Sequence, residues 1–272
     1  MQLLSKLSPA ETMLLIESSS SSLKDLMKFT FMDLLLKKVI EIKEEKRRPN
    51  PRDKYVRKYT YIIKGKNLPK YSPKAHELIF IKSFIKSPSI KILFKHFIKM
   101  GYEEAKGVNS FKKSIISSNI MNQYAKQSFF QRIFGGFTLS NDGQKVKSEV
   151  LAYLKPIDDN IGNIINRDKV KALDILVTLG GNIFLLNNLD FKLLKKIDSQ
   201  LIKEQKLIYS ESYAYGDDWW YYFDFYEDSY MFDSYFDNFD HTVDSFDSDF
   251  DSAGCSSCDS GCSSCSGCGG CD

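Results

Sequence analysis

The sequence predicts a mainly α fold with minor β, built as a helical, winged-helix-like core followed by a low-complexity tail. Three observations predict it. Apolar residues recur at helical spacing through most of the first 209 positions, two β-branched and aromatic runs flank a charged loop near residue 50, and the composition changes abruptly after Ser210. At 272 residues, 43% hydrophobic and 27% charged, the chain is long enough to bury a core and is neither collagen-like nor wholly disordered.

The first helix starts at Ser8-Pro9-Ala10-Glu11, a capping box with proline at the first helical position, where its missing N–H costs nothing. Met13, Leu14, Leu15 and Ile16 give it an apolar side, and the serines Ser18 to Ser22 break it into a linker. Leu23, Leu26, Met27, Thr30, Phe31, Leu34, Leu35 and Val39 follow at i, i+3, i+4 spacing, with Lys24, Lys28 and Lys38 off the stripe, which predicts a second, amphipathic helix. Val39-Ile40-Glu41-Ile42 and Tyr59-Thr60-Tyr61-Ile62-Ile63 then read as strands around a charged loop. Helix, helix, hairpin is the order of a winged-helix unit.

A second, weaker version of this opening follows. Ser72-Pro73 precedes Leu78, Ile79 and Phe80, which predicts a helix, and Ser87-Pro88 opens another over Ile90, Leu93, Phe94, Phe97 and Ile98, stopped by Gly101. The pattern divides residues 1–209 into a diverged repeat, 1–70 and 71–209, unless the Ser-Pro starts recur by chance. Later helices are expected at about 109–126, 143–154, 169–180 and 190–206, with Thr138 to Gly143 as a turn and cap. The most apolar window, Ala172 to Leu186, is broken by Asp174, Gly180-Gly181 and Asn182, falls short of the roughly 18 residues a membrane helix needs, and reads as a buried helix pair. Met1 to Glu17 lacks the apolar run and cleavage site of a secretory signal, so a cytoplasmic protein is expected.

Charge divides the chain in two. Residues 211–272 hold fifteen acids and no Lys or Arg, a net −15, while the rest is +18. Between Glu211 and Phe250 sixteen aromatics alternate irregularly with Asp and Ser, giving an acidic low-complexity segment over 210–254. An intramolecular contact between this tail and the basic core is expected. Trp219, Trp220, Tyr221 and Tyr222 lie nearest the core in sequence and should dock first, leaving residues after about 230 loose.

The remaining segment, 255–272, holds every cysteine of the chain: Cys255, Cys258, Cys262, Cys265, Cys268 and Cys271, set in Gly, Ser and Asp. Thiolates two residues apart can clasp one soft ion, so the tail suits Zn(II) or a Cu(I) cluster. A zinc ribbon needs a longer insert than Asp259-Ser260-Gly261. Cys258, Cys262 and Cys265 have the spacing of the iron–sulfur motif in radical enzymes that use S-adenosylmethionine, but no barrel follows. Ferredoxins enclose their clusters in an apolar fold that this tail lacks. The alternatives are a free reduced tail and a precursor whose tail is matured into a cysteine-modified peptide.

In the basic part, Lys46, Arg47, Arg48, Arg52, Lys54, Arg57 and Lys58 concentrate positive charge in the expected wing, where they could lie on nucleic-acid phosphates or anionic lipid, with the acidic tail as an internal competitor. Catalysis has little support. His76 and His96 read as structural histidines, and phosphate-loop, G-x-S-x-G and H-E-x-x-H motifs are missing, so a non-enzymatic protein is expected.

Leu7-Ser8-Pro9-Ala10-Glu11, the apolar stretch Asp174 to Gly181 with Leu189-Asp190-Phe191, and the cysteine-bearing end together resemble a poorly characterised bacterial family. Its members have a helical amino-terminal region with a Leu-x-Pro-x-Glu start and a Gly/Cys-rich tail. The resemblance implies a domain layout and no activity. Two departures stand out: many members of the family also have membrane segments, and their tails are chiefly glycine; the acidic aromatic block is not expected from the resemblance either.

Overall fold

A computed structural model describes residues 3–48, 52, 54–134, 136–189 and 246. Among them the chain is mainly helical with two small antiparallel sheets. The expected α1 forms over Pro9–Glu17 with both hydrogen bonds of the capping box present. Ser18, at φ 56°, ends it, and Ser22 caps α2, Leu23–Leu36, by accepting from the Asp25 N–H at 3.0 Å. Val39, expected as the last residue of that helical stripe, lies beyond α2 and is buried.

The hairpin is longer than its apolar runs. β1 (Ile40–Arg47) pairs antiparallel with β2 (Arg57–Lys64), so much of the expected charged loop is strand. A third strand, β3 (Ile92–Leu93), joins on the far side of β2. Between them, Ser72-Pro73 does not start a helix. α3 runs over Leu78–Lys86, and the backbone that would have been capped there is held by Glu77, whose carboxylate accepts from the Lys74 N–H at 2.7 Å. α4 begins at Phe94 and runs to Ala105, straight through Gly101. That glycine is a packing device and not a stop, since a methyl group on it would lie 2.8 Å from Phe80 Cε1 and 3.3 Å from Met27 Cε.

The expected 109–126 helix divides into α5 (Val108–Ile116) and α6 (Met121–Tyr124), and a short α7 covers Phe129–Phe134. β4 (Ala125–Lys126) pairs with β5 (Thr138–Leu139), after which Ser140 caps α8 through the Gly143 N–H at 3.1 Å, as the turn-and-cap reading requires. α8 extends from Asn141 to Arg167, past the expected end and through Pro156. Its buried stripe, Val150, Leu154, Ile161 and Ile165, continues in helical register on both sides of the proline, while Pro156 itself faces solvent, so water can serve the carbonyl it leaves unbonded. α9 (Lys169–Leu179) is followed by a 3-10 segment, Gly180–Leu185, where a helix pair was expected. None of the helices among the described residues is long and apolar enough to cross a membrane. The expected helix at 190–206 lies outside the described residues.

One hydrophobic cluster joins these elements and includes Phe246, the described residue of the acidic segment. The 3-10 segment packs against α1 and α2, and Asn182 ties it to the start of the chain by donating from Nδ2 to the carbonyls of Leu4 (2.8 Å) and Leu7 (3.1 Å).

Candidate functional site

At the centre of the cluster lies Phe31, placed by the apolar stripe of α2. Its ring meets Phe80 of α3 at a centroid distance of 5.9 Å and both Phe94 and Phe97 of α4 at 5.8 Å. Phe97 also stacks on Phe80 at 5.5 Å and meets Phe84 at 5.9 Å. Phe246 completes this array. Its ring is wholly buried and stacks on Phe31 at 5.6 Å with an interplanar angle of 27°. Offset and edge contacts of this kind add attraction beyond the area they bury. Lys28 and Lys24 lie one and two turns before Phe31 on α2, both half-buried. Spacings of three and four residues place them along the face that leads to the Phe31 ring.

The acidic segment meets the core at Phe246, beyond the position of about 230 after which it was expected to stay loose. The contact is one of ring on ring: the phenylalanines around Phe31 take a further phenylalanine with no polar atom to satisfy. Trp219, Trp220, Tyr221 and Tyr222 themselves lie outside the described residues.

A second group of side chains was legible only as a helix cap. Glu11, buried at the start of α1, accepts from the Ser8 N–H at 2.7 Å and from Lys74 Nζ at 2.5 Å. Burial pushes this carboxyl up, and the Lys74 ammonium, His76 and the hydrogen bonds from Lys74 and Ser118 together more than offset that, holding it below its ordinary value. Asp33 accepts from Lys37 Nζ at 2.7 Å, and Glu77 accepts from the Tyr71 hydroxyl at 2.9 Å. Burial raises Asp33 against the pull of Lys37, and it pushes the Tyr71 hydroxyl well up. His76, expected within a helix, sits in the turn before α3, fully buried, and burial drives its imidazole down to about 4.

Ser8 Oγ lies 3.3 Å from His76 Nε2, the first two members of a nucleophile–base–orienter arrangement. The third is missing: His76 Nδ1 has no hydrogen-bond partner, and the nearby Glu11 takes both Lys74 and the Ser8 N–H on Oε2 without bonding the imidazole through Oε1. Glu11 Oε1, Thr12 Oγ1, Asp33 Oδ1 and Asn182 Oδ1 are also buried without a hydrogen bond. The chemistry of the group is that of a charged, desolvated clamp between α1, α2 and the 71–77 segment. His96 is exposed on α4.

The hairpin brings four of the seven wing cations together. Lys46 faces Lys58 and Arg47 faces Arg57 across the strands, and all four are exposed, with Arg48, Arg52 and Lys54 exposed in the adjoining loop. Like charges directly opposed in a strand pair repel. Acids relieve part of it: Lys58 pairs with Glu44 at 2.6 Å, and Glu45 pairs with Arg47 and, at 2.5 Å, with Lys91. Those hydrogen bonds, that of Lys91 first, hold Glu45 down to about 2. Among the described residues Lys46, Arg48 and Lys54 form no ion pair.

Cys255, Cys258, Cys262, Cys265, Cys268 and Cys271 lie outside the described residues. Among those described, no group of three His, Cys, Asp or Glu side chains is placed to hold a metal ion. In comparison with known proteins, no family model, no curated protein and no solved structure matches the chain.

Proposed function

We propose that this chain is a non-enzymatic cytoplasmic protein whose basic helical part tethers its own acidic segment and so presents the cysteine tail for soft-metal binding or modification. The observation that carries the tether is the burial of Phe246, nine positions before Cys255. Nine residues reach at most about 30 Å, which keeps the first thiol within that distance of the anchored ring. Six cysteines at two- and three-residue intervals supply the soft-ligand chemistry. The Ser8–His76 pair supports the non-enzymatic reading, because it lacks an orienting group and is sealed within the core.

Titration of the reduced full chain with Zn(II) and with Cu(I), beside a variant carrying Cys→Ser at all six positions, tests the metal arm. Saturable uptake by the native chain alone is expected, and equal weak uptake by both overturns it. For the modification arm, the intact mass from the native host should depart from the encoded mass. Equality of the two removes both modification and maturation into a cysteine-modified peptide.

A second reading has an observation of its own. The opposed cations of the winged-helix-like hairpin gain from an anion between them, so Lys46, Arg47, Arg48, Arg52, Lys54, Arg57 and Lys58 suit nucleic-acid phosphates, with the acidic tail as autoinhibitor. Deletion of residues 211–272 should then strengthen binding to duplex DNA, with a steep loss as salt rises. No binding at low salt by a folded, tail-deleted chain overturns it.

A further inference from the structure

We propose that the hollow beside Phe31 is a recognition site for Phe-Asp units of acidic peptide, and that its occupant in this protein is the chain's own Phe246-Asp247. The proposal rests on the tether reading and deepens it by naming what the site selects.

The hollow selects a phenylalanine for a physical reason. Phe31 already engages three rings of α3 and α4, and the incoming ring lies nearly parallel to it, fully removed from water. A tyrosine in the same place would bring a hydroxyl into that phenylalanine array, and an unpaired buried hydroxyl is costly. The aspartate preference comes from the edge of the site. Lys24 and Lys28 stand half-buried along α2 beside Phe31, and each is engaged rather than free. Their partly buried stems run along the helix and carry two positive charges at the edge of the site, which favour an incoming carboxylate.

The sequence of the acidic segment matches such a site repeatedly. Phe is followed by Asp at 223–224, 232–233, 236–237, 239–240, 246–247 and 250–251, six times in twenty-nine residues, without a lysine or arginine among them. A segment that needed only to be acidic and aromatic would serve equally with Tyr-Asp, yet no Tyr-Asp occurs in it. The dipeptide, rather than composition, is what recurs.

The experiment uses the full chain and a fluorescent peptide spanning residues 244–251. In wild type the chain's own unit fills the hollow. In a full-length variant with alanine at Phe223, Phe232, Phe236, Phe239, Phe246 and Phe250 the hollow is vacated, and the peptide should bind at least about tenfold more tightly, as removal of a buried ring requires. Peptides with Ala or Tyr at both phenylalanine positions, or with Lys at the aspartates, should each lose about tenfold or more. Equal binding by the Ala or Lys peptide, or no binding to a variant that keeps its helical circular dichroism and cooperative unfolding, overturns the proposal.

A gentler measurement covers a variant that fails to fold. Asp247→Lys in the otherwise native chain should speed amide exchange around Phe246 by about tenfold, while Asp217→Lys leaves it unchanged. Unchanged exchange in Asp247→Lys overturns the proposal, as does an equal rise in both. Metal uptake by the cysteine tail is read independently, so failure of the Phe-Asp site and failure of the proposed function show up in different assays.

Discussion

Replacing Phe246 by alanine removes a ring that is 0% exposed and stacked 5.6 Å from Phe31. Full burial of a phenylalanine side chain contributes about 1.5–3 kcal/mol, and a well-placed aromatic pair adds about 0.5–1.5 kcal/mol. The expected loss is therefore about 2–4 kcal/mol. The loss has a ceiling, because once the segment detaches no further contact of its own can be lost. For a folded part of this size, 1 kcal/mol moves the melting temperature by about 2–4 °C, so a fall of roughly 4–16 °C should be seen by circular dichroism. Tyr55→Ala, at a residue 75% exposed, is the control and should stay within about 0.5 kcal/mol of wild type. A double-mutant cycle with Phe31→Leu isolates the pair, and a coupling of about 1 kcal/mol is expected. Equal stability of Phe246→Ala and Tyr55→Ala, with no coupling to Phe31, would refute the reasoning that this ring is part of the core.

Four further outcomes are expected. Glu11→Gln should cost about 1–3 kcal/mol by weakening the charge-assisted bond from the partly exposed Lys74, and adding Lys74→Met should recover part of it in urea unfolding. Acidification should destabilise the protein through His76, whose folded value near 4 lies below the 6.5 of an unfolded chain. The unfolded state binds the extra proton between those values, so stability falls as pH drops from 6.5 to 4, by about 3 kcal/mol, and His76→Gln should flatten that slope in urea midpoints measured across the range. Pro156→Ala should stabilise α8 by about 1–3 kcal/mol, because the exposed proline leaves a backbone bond unmade, and a lower melting temperature would contradict the geometry. Gly181→Ala should destabilise by more than about 2 kcal/mol in the same assay, since its methyl would lie 2.2 Å from Asp33 Oδ1.

What local signals dictate was legible. The capping box at Ser8, the α2 stripe and the Ser140 cap all form where residue order places them, because each depends on neighbours within about one or two turns. Long-range demands were not. Glu11 is sufficiently explained by its cap, so nothing nearby announces that Lys74 will reach it across sixty-three positions. Gly101 looks like a helix stop until the Phe80 ring is seen against it, and Ser72-Pro73 looks like a start until Glu77 takes the backbone it would have capped. The hairpin outgrew its apolar runs because pairing with β2 and ion pairs from Glu44 and Glu45 carry charged residues into strand. For the candidate site, the Phe-Asp repeat was visible in the sequence, but the ring that fills the hollow is chosen by the three-dimensional array around Phe31.

Synthesis of the chain from its amino end gives the position of Phe246 a consequence in time. Phe31 leaves the ribosome more than two hundred residues before its stacking partner, and at about 5–20 residues per second that interval is roughly 10–40 s. Asn182, which secures Leu4 and Leu7, also arrives late. A nascent chain therefore exposes an unfilled phenylalanine hollow for much of its translation, on the scale at which chaperones sample emerging polypeptides. Among the described residues, the last piece of the core is delivered together with the acidic segment, shortly before the thiols, so the cysteines emerge only after the earlier elements have had time to fold.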